Sequence, residues 1–223
     1  MSLYGKIAII KSLALSKLNY CIMCLPTPQW FINKVQNTIN NFLWNNKPPR
    51  LKHTTAISDY EKGGVKMVNF ESFVKAQKVS WVKRLVVDNS ALHYVRRQIP
   101  YITISEFLCC HIHSKEIPIN ISLFYKQVLQ AWFTLRFKSM ESDDIVLWYN
   151  HKIRIQNNYV FYKKWYKKGI FLLKDLFNEN GEIMTFNELK TKYDITDNIM
   201  NYMSIIHAIP NEWINFNFIN NDT

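Results

Sequence analysis

Apolar residues recur through the first half of the chain at intervals of three and four, the spacing that lines them along one side of a helix. From Leu3 to Cys24 this rhythm puts Leu3, Ile7, Ile10, Ala14, Leu18 and Cys21 on one face, with Lys6 and Lys17 aligned beside it and Lys11 on the other edge. Ile9, Leu13 and Leu15 widen the apolar surface, so more than one face should be covered. Leu25-Pro26-Thr27-Pro28 then ends the helix, with Thr27 suited to cap the next one and Pro28 to be its first residue. That second helix has Phe31, Ile32, Val35, Ile39, Phe42 and Leu43 as its stripe, and Asn33, Lys34, Asn37, Asn40 and Asn41 opposite. Pro48-Pro49 stops it, because proline lacks an N–H and pushes the residue before it out of helical geometry. Lys47, Arg50 and Lys52 should therefore project from an extended basic arm that leads to a Gly63-Gly64 turn.

Beyond the turn, Val65-Lys66-Met67-Val68 reads as a short extended piece. A third helix runs from Asn69, its cap, to Val87, with Phe70, Phe73, Val74, Gln77, Trp81 and Leu85 inward and Lys75, Lys78, Lys83 and Arg84 around them. Ser90 to Gln98 reads as helical, Thr103 to His113 as helix or loop, and Ser122 to Lys138 as helix. Met140 to Asp144 breaks that last helix and suggests a lobe boundary near residue 145. The final third predicts a short helix at Ile170 to Leu176, a helix opened by the Thr185-x-x-Glu188 capping box and running to Tyr193, and one from Asp197 to Ala208. The expected fold is all-α: a helical hairpin with its arm (1–60), a helical connector (61–145) and a small C-terminal helical lobe (146–223).

Charge sharpens this picture. Residues 1–58 hold seven lysines and arginines and no acid, whereas residues 175–223 hold two bases and eight acids, within a net charge of +11. A basic body with an acidic end suits a chain that lays only part of its surface on a nucleic-acid backbone. Five glycines leave no material for a Gly-rich phosphate loop. No apolar run approaches the ~20 residues of a membrane span, so no membrane role is expected. Four cysteines do not form a disulfide framework, which points to an intracellular setting, nuclear or cytoplasmic.

Candidate chemistry is sparse. Cys21-x-x-Cys24 with Cys109-Cys110-His111-x-His113 holds enough ligands for zinc, but the first pair reads as small hydrophobes on an apolar helix face, and no metal or other cofactor is expected. Ser142-Asp143-Asp144 lacks the hydrophobic hairpin and third carboxylate of a two-metal site and reads as a helix cap. His53 and His111 read as partly buried structural residues, and no catalytic centre is visible. Lys163 to Gly169 mixes lysines with Trp165 and Tyr166; Trp165 reads as the anchor of a small core with the lysines as its solvated rim, base stacking being the competing reading.

Several ordered motifs resemble one family. Tyr4-Gly5-Lys6-x-x-Ile9-Ile10-Lys11-Ser12-Leu13-x-Leu15-Ser16-Lys17, Leu25-Pro26-x-Pro28, Phe42-Leu43-Trp44-Asn45-Asn46-Lys47 and Gly63-Gly64-Val65-Lys66-Met67 resemble the region after the palm in reverse transcriptases of non-LTR (LINE-type) retrotransposons. Trp165-Tyr166-x-x-Gly169, Asp175-Leu176, Asn180-Gly181 and Phe186-x-Glu188-Leu189-x-x-x-Tyr193 are similar to the region beyond the thumb in that family; residues 88–145 add little. The resemblance implies a thumb that grips an RNA/DNA template–primer duplex by its backbone, through Lys6, Lys11, Lys17, Lys47, Arg50 and Lys52. Trp44 and Gly63-Gly64 would set the exit and return of the arm. The palm motif, aromatic-x-Asp-Asp, is absent, so the chain is expected to be a thumb and connector fragment without catalysis, and the missing palm and fingers are possible partners. The alternative is a helical scaffold that docks on a polymerase core or another protein.

Overall fold

The stripe of the first helix is interrupted where the sequence gives no warning. In the computed structural model, which describes residues 1–87, 93–99, 101–136 and 145–214, Leu3–Cys24 is one continuous helix, α1, but Ile10–Ala14 is a π-helical turn inside it. There the N–H of Leu15 reaches the carbonyl of Ile10. One extra residue in a turn rotates everything after it by roughly 100° relative to a regular helix. The buried face accordingly runs Ile7, Ile10, then Leu15 and Ile22, while the expected Ala14 and Cys21 are exposed. Lys6 and Lys17 no longer share a side: Lys6 is buried and Lys17 exposed. Serine hydroxyls accompany the shift, Ser12 donating to the Ala8 carbonyl at 2.8 Å and Ser16 to Ser12 at 2.8 Å.

Gln29–Trp44 is α2. Thr27 does not cap it; Pro28 holds the N-cap position, and both backbone groups of the buried Thr27 are bonded to the Gln127 amide, at 2.8 and 2.9 Å. Ile32, Ile39 and Leu43 are buried as expected, but Phe42 is exposed. Asn45 and Asn46 end α2 in the left-handed region, a conformation asparagine adopts more readily than most residues. The arm is shorter than predicted, because His53–Ile57 folds back into a helical turn, α3. Gly63 returns the chain at φ +71°, and Gly64 lies so close to the Thr55 and Ser58 carbonyls that a Cβ would stand 2.0 Å from the latter.

Phe70–Val87 is α4, its first turn satisfied by Asn69 (to the Ser72 N–H, 2.9 Å) and Gln36 (to the Phe70 N–H, 2.8 Å). Its buried row is Phe70, Val74, Lys78, Val82 and Leu85, so Lys78, expected on the rim, lies inside. The later elements are α5 (His93–Gln98), α6 (Ile104–Cys109), α7 (Leu123–Arg136), strands β1 (Arg154–Ile155) and β2 (Asn158–Tyr159), and helices α8 (Lys163–Lys167), α9 (Phe186–Tyr193), α10 (Ile199–Ala208) and α11 (Asn211–Ile214). Thr103 with Glu106, and Thr185 with Glu188, form capping boxes at α6 and α9. The hairpin was not anticipated; Gln156 and Asn157, both at positive φ, join antiparallel strands as a tight type I′ turn requires. Leu173–Leu176 is a 3₁₀ turn. The fold is all-α, with 60% of the described residues helical and 4% in strand.

The chain divides into two compact units that cut across the three expected segments. Unit 1 is residues 1–87 with 122–132, and unit 2 is residues 88–121 with 133–223. The core of unit 1 gathers Ile7, Ile32, Ile39, Leu43, Ala56 and Met67 around Phe70. In unit 2, Trp148 and Trp165 are fully buried with ring centroids 6.5 Å apart. Their indole N–H groups donate to the Ile170 carbonyl (2.8 Å) and the Asp197 carboxylate (2.9 Å). Ser142, Asp143 and Asp144 lie outside the described residues.

Among the described residues one helix, α1, is long and apolar enough to cross a membrane, by length and composition alone. The expectation that no run reaches that length is thus corrected: its lysines are spaced widely enough to leave a mean hydropathy of 1.4.

Candidate nucleic-acid interface

The C-terminus of α2 decides the fate of Lys6. The last carbonyls of a helix have no partner within it and carry the negative end of its dipole. The ammonium of Lys6 donates to Phe42 O at 2.8 Å, to Leu43 O at 3.1 Å and to the side-chain oxygen of Asn45 at 2.5 Å. Its Nζ also lies 5.4 Å from the centroid of the Phe42 ring. With all three donors used and 7% of its surface exposed, Lys6 is a structural cation and not a phosphate grip.

The other five expected bases remain outside. Lys11, Lys17, Lys47, Arg50 and Lys52 are exposed, and among the described residues no ion pair includes any of them. They do not form a single strip. Lys47 and Arg50 flank a hollow of about 310 Å³ that also touches Trp44, Asn45 and Pro48. Arg50 and Lys52 flank a second of about 400 Å³, lined too by Trp44, Pro49 and His53. Lys11 rims a different hollow beside Phe73 and Gln77, while Lys17 lines none of these. Trp44 is half-buried and packs against the core of unit 1. His53 is exposed rather than partly buried, and so it stands with the basic groups of the arm.

Lys78 is the residue the sequence pattern placed wrongly. Its Nζ donates to the carbonyls of Ile22 (2.8 Å) and Leu25 (2.6 Å) and lies 4.2 Å from the centroid of Phe124. Beside it the Trp81 indole donates to Met23 O at 2.8 Å, so α4 closes the C-terminus of α1 as Lys6 closes that of α2. Burial lowers the lysine's pKa from 10.5 to about 8, opposed by the nearby Cys24. A signal was present in the spacing: position 78 is four residues from both Val74 and Val82.

In unit 2 several of the bases are occupied. Arg154 bonds Glu116, Lys168 meets Asp194 at 2.6 Å and Lys152 meets Glu212 at 3.1 Å. Lys163 sits 3.8 Å from the Tyr101 ring centroid, and Lys164 donates to Thr196 O at 3.3 Å. Trp165 is buried beneath them, as a core anchor would be. Cys21 and Cys24 are exposed in unit 1, not on a buried apolar face, while Cys109, Cys110, His111 and His113 belong to unit 2. No group of three or more potential metal ligands gathers among the described residues.

No protein-family model and no curated protein matches the sequence.

Proposed function

We propose that the chain acts as the thumb and helical connector of a reverse transcriptase of the non-LTR retrotransposon type, holding a template–primer duplex by its phosphates. The observation that carries this reading is the arm: Lys47, Arg50 and Lys52 are exposed, grouped around Trp44 and without an acidic partner among the described residues. Such cations sit in a region with no Asp or Glu before residue 59, so nothing nearby competes with a phosphate. Contacts of this kind position a backbone without reading sequence. The role is grip rather than chemistry, since the 223 residues contain no aromatic-x-Asp-Asp motif.

A salt titration of duplex binding tests it. Each phosphate contact contributes roughly 0.7 to 0.9 to the slope of log affinity against log salt. Changing Lys47, Arg50 and Lys52 together to Gln should reduce the slope by about 2 to 3 on the same scale. An unchanged slope rejects the role of the arm.

A second reading, a helical scaffold that docks on a polymerase palm and fingers or another protein, is favoured by the outer surface of the first hairpin. Leu13, Tyr20, Leu25 and Trp30 are all more than half exposed there. Binding to a protein partner that is insensitive to salt, together with indifference to duplex, supports this reading over the first.

A further inference from the structure

Trp44 occupies an unusual place for a core residue, because it forms a wall of both hollows on the arm. The larger hollow, about 400 Å³, falls within the roughly 300 to 1,000 Å³ that small-ligand sites occupy. Its composition is informative: Trp44, Pro49, which has no N–H, Asn40, and Arg50, Lys52 and His53. No carboxylate lines either hollow. Trp44 also packs against the core of unit 1, and the chain just beyond it turns through two left-handed asparagines.

We infer that Trp44 is a stacking platform for one unpaired base of a nucleic-acid strand, with Arg50 and Lys52 holding the adjoining phosphate. This rests on the nucleic-acid reading above and adds a preference to it. Bases inside a duplex are already stacked on their neighbours and offer only phosphates to the arm. An unpaired base at a strand end or overhang is free to leave its neighbours and lie on the indole. Aromatic stacking of this kind contributes about 1 to 3 kcal/mol per base and tolerates any sequence, because every base has a π face. The site therefore takes single-stranded nucleic acid as a chemical class and separates a duplex with a tail from one without.

The test compares wild type, Trp44→Phe and Trp44→Leu in the 223-residue chain, using a short oligouridylate, a blunt duplex and the same duplex with an unpaired tail. Trp44→Leu should weaken the oligouridylate and the tail advantage by roughly 5- to 150-fold, leave blunt-duplex binding and the salt slope unchanged, and be largely rescued by Trp44→Phe. In wild-type protein, 5-iodouracil in the tail should crosslink to Trp44, a readout that does not depend on any variant folding. An adduct at another residue, or equal losses on all three nucleic acids, overturns the inference. Binding of all three ligands with Trp44 indifferent removes the platform and leaves the phosphate grip standing, whereas a wild-type chain that binds none of them at low salt removes both.

Discussion

Residues 44–53 of unit 1 and residues 148–168 of unit 2 both set bases beside aromatic rings, a single Trp44 in the first and several rings in the second, yet most of their cations are treated differently. In unit 2 four of the cations are matched within the fold, Arg154 to Glu116, Lys152 to Glu212 and Lys168 to Asp194, with Lys163 over Tyr101, while Lys167 beside them is exposed. Among the described residues the arm of unit 1 has no such partners, and the first acid after it, Asp59, is engaged by Lys66 at 3.0 Å. Unit 1 does neutralise some of its lysines, but with carbonyls: Lys6 closes α2 and Lys78 closes α1. A run of bases and rings therefore identifies an interface only after each cation has been traced to its partner. Composition treats the two regions as alike; counter-charge separates them.

The largest effect expected within this contrast is on Lys78. Replacing it with Ala leaves the Ile22 and Leu25 carbonyls without their donor and opens a cavity beneath Phe124, at a cost of about 2 to 4 kcal/mol in urea unfolding. Lys78→Met fills the space without carrying a charge and should cost less. The two also separate by pH. The folded-state pKa, about 8, lies below the ordinary 10.5, so the charged form is the one that burial disfavours. Below pH 8 both states hold the proton and stability is flat in this group. Between about 8 and 10.5 the unfolded chain binds more protons, and stability rises with pH. The difference between wild type and Lys78→Met should therefore shift in favour of wild type across that window, other titrations cancelling. A constant difference means that the amine is not desolvated in the folded state.

Lys6 comes next. Lys6→Met removes the cation from the C-terminus of α2, and should destabilise the chain by about 1 to 2 kcal/mol while leaving the salt slope of duplex binding unchanged. A fall in slope with no loss of stability would return Lys6 to the phosphate-binding set and blur the distinction between structural and free cations in unit 1.

How much of this was legible depends on where each signal is written. Most of the α2 stripe (Ile32, Ile39 and Leu43, though not Phe42), the Asn69 cap and the Thr185–Glu188 box are local in sequence and appear where their periodicity or spacing puts them. The π turn in α1 is not local in that sense: no residue marks an insertion, and only packing shows that Leu15 and Ile22, not Ala14 and Cys21, are the residues that the core accepts. That one shift also misplaced Lys6 relative to Lys17. Lys78 was misread for a different reason, since a lysine in an apolar row is usually assigned to solvent, and the helix end that it satisfies is over fifty residues away in sequence. The arm was legible in its charges and proline stop but not in its length, because His53–Ile57 is too short for periodicity to declare it helical. The hollows around Trp44 were not legible at all; they arise only when Pro49, Arg50 and His53 fold back over the end of α2.

The smallest expected effect is also the sharpest control on the comparison. Changing Lys152, Lys163 and Lys168 together to Gln removes as many charges as changing the arm, from a region that looks equally suited to nucleic acid in sequence. These side chains are exposed and already engaged within unit 2, so melting should move by less than about 2 °C. Duplex affinity should keep its salt slope, because a cation already engaged by a carboxylate or held over a ring in its own unit is not placed to neutralise a phosphate and so displaces none of the counterions condensed on the duplex. If the slope instead fell as far as it does for the arm variant, internal pairing would not be what separates the two regions, and net charge alone would govern where the backbone lies.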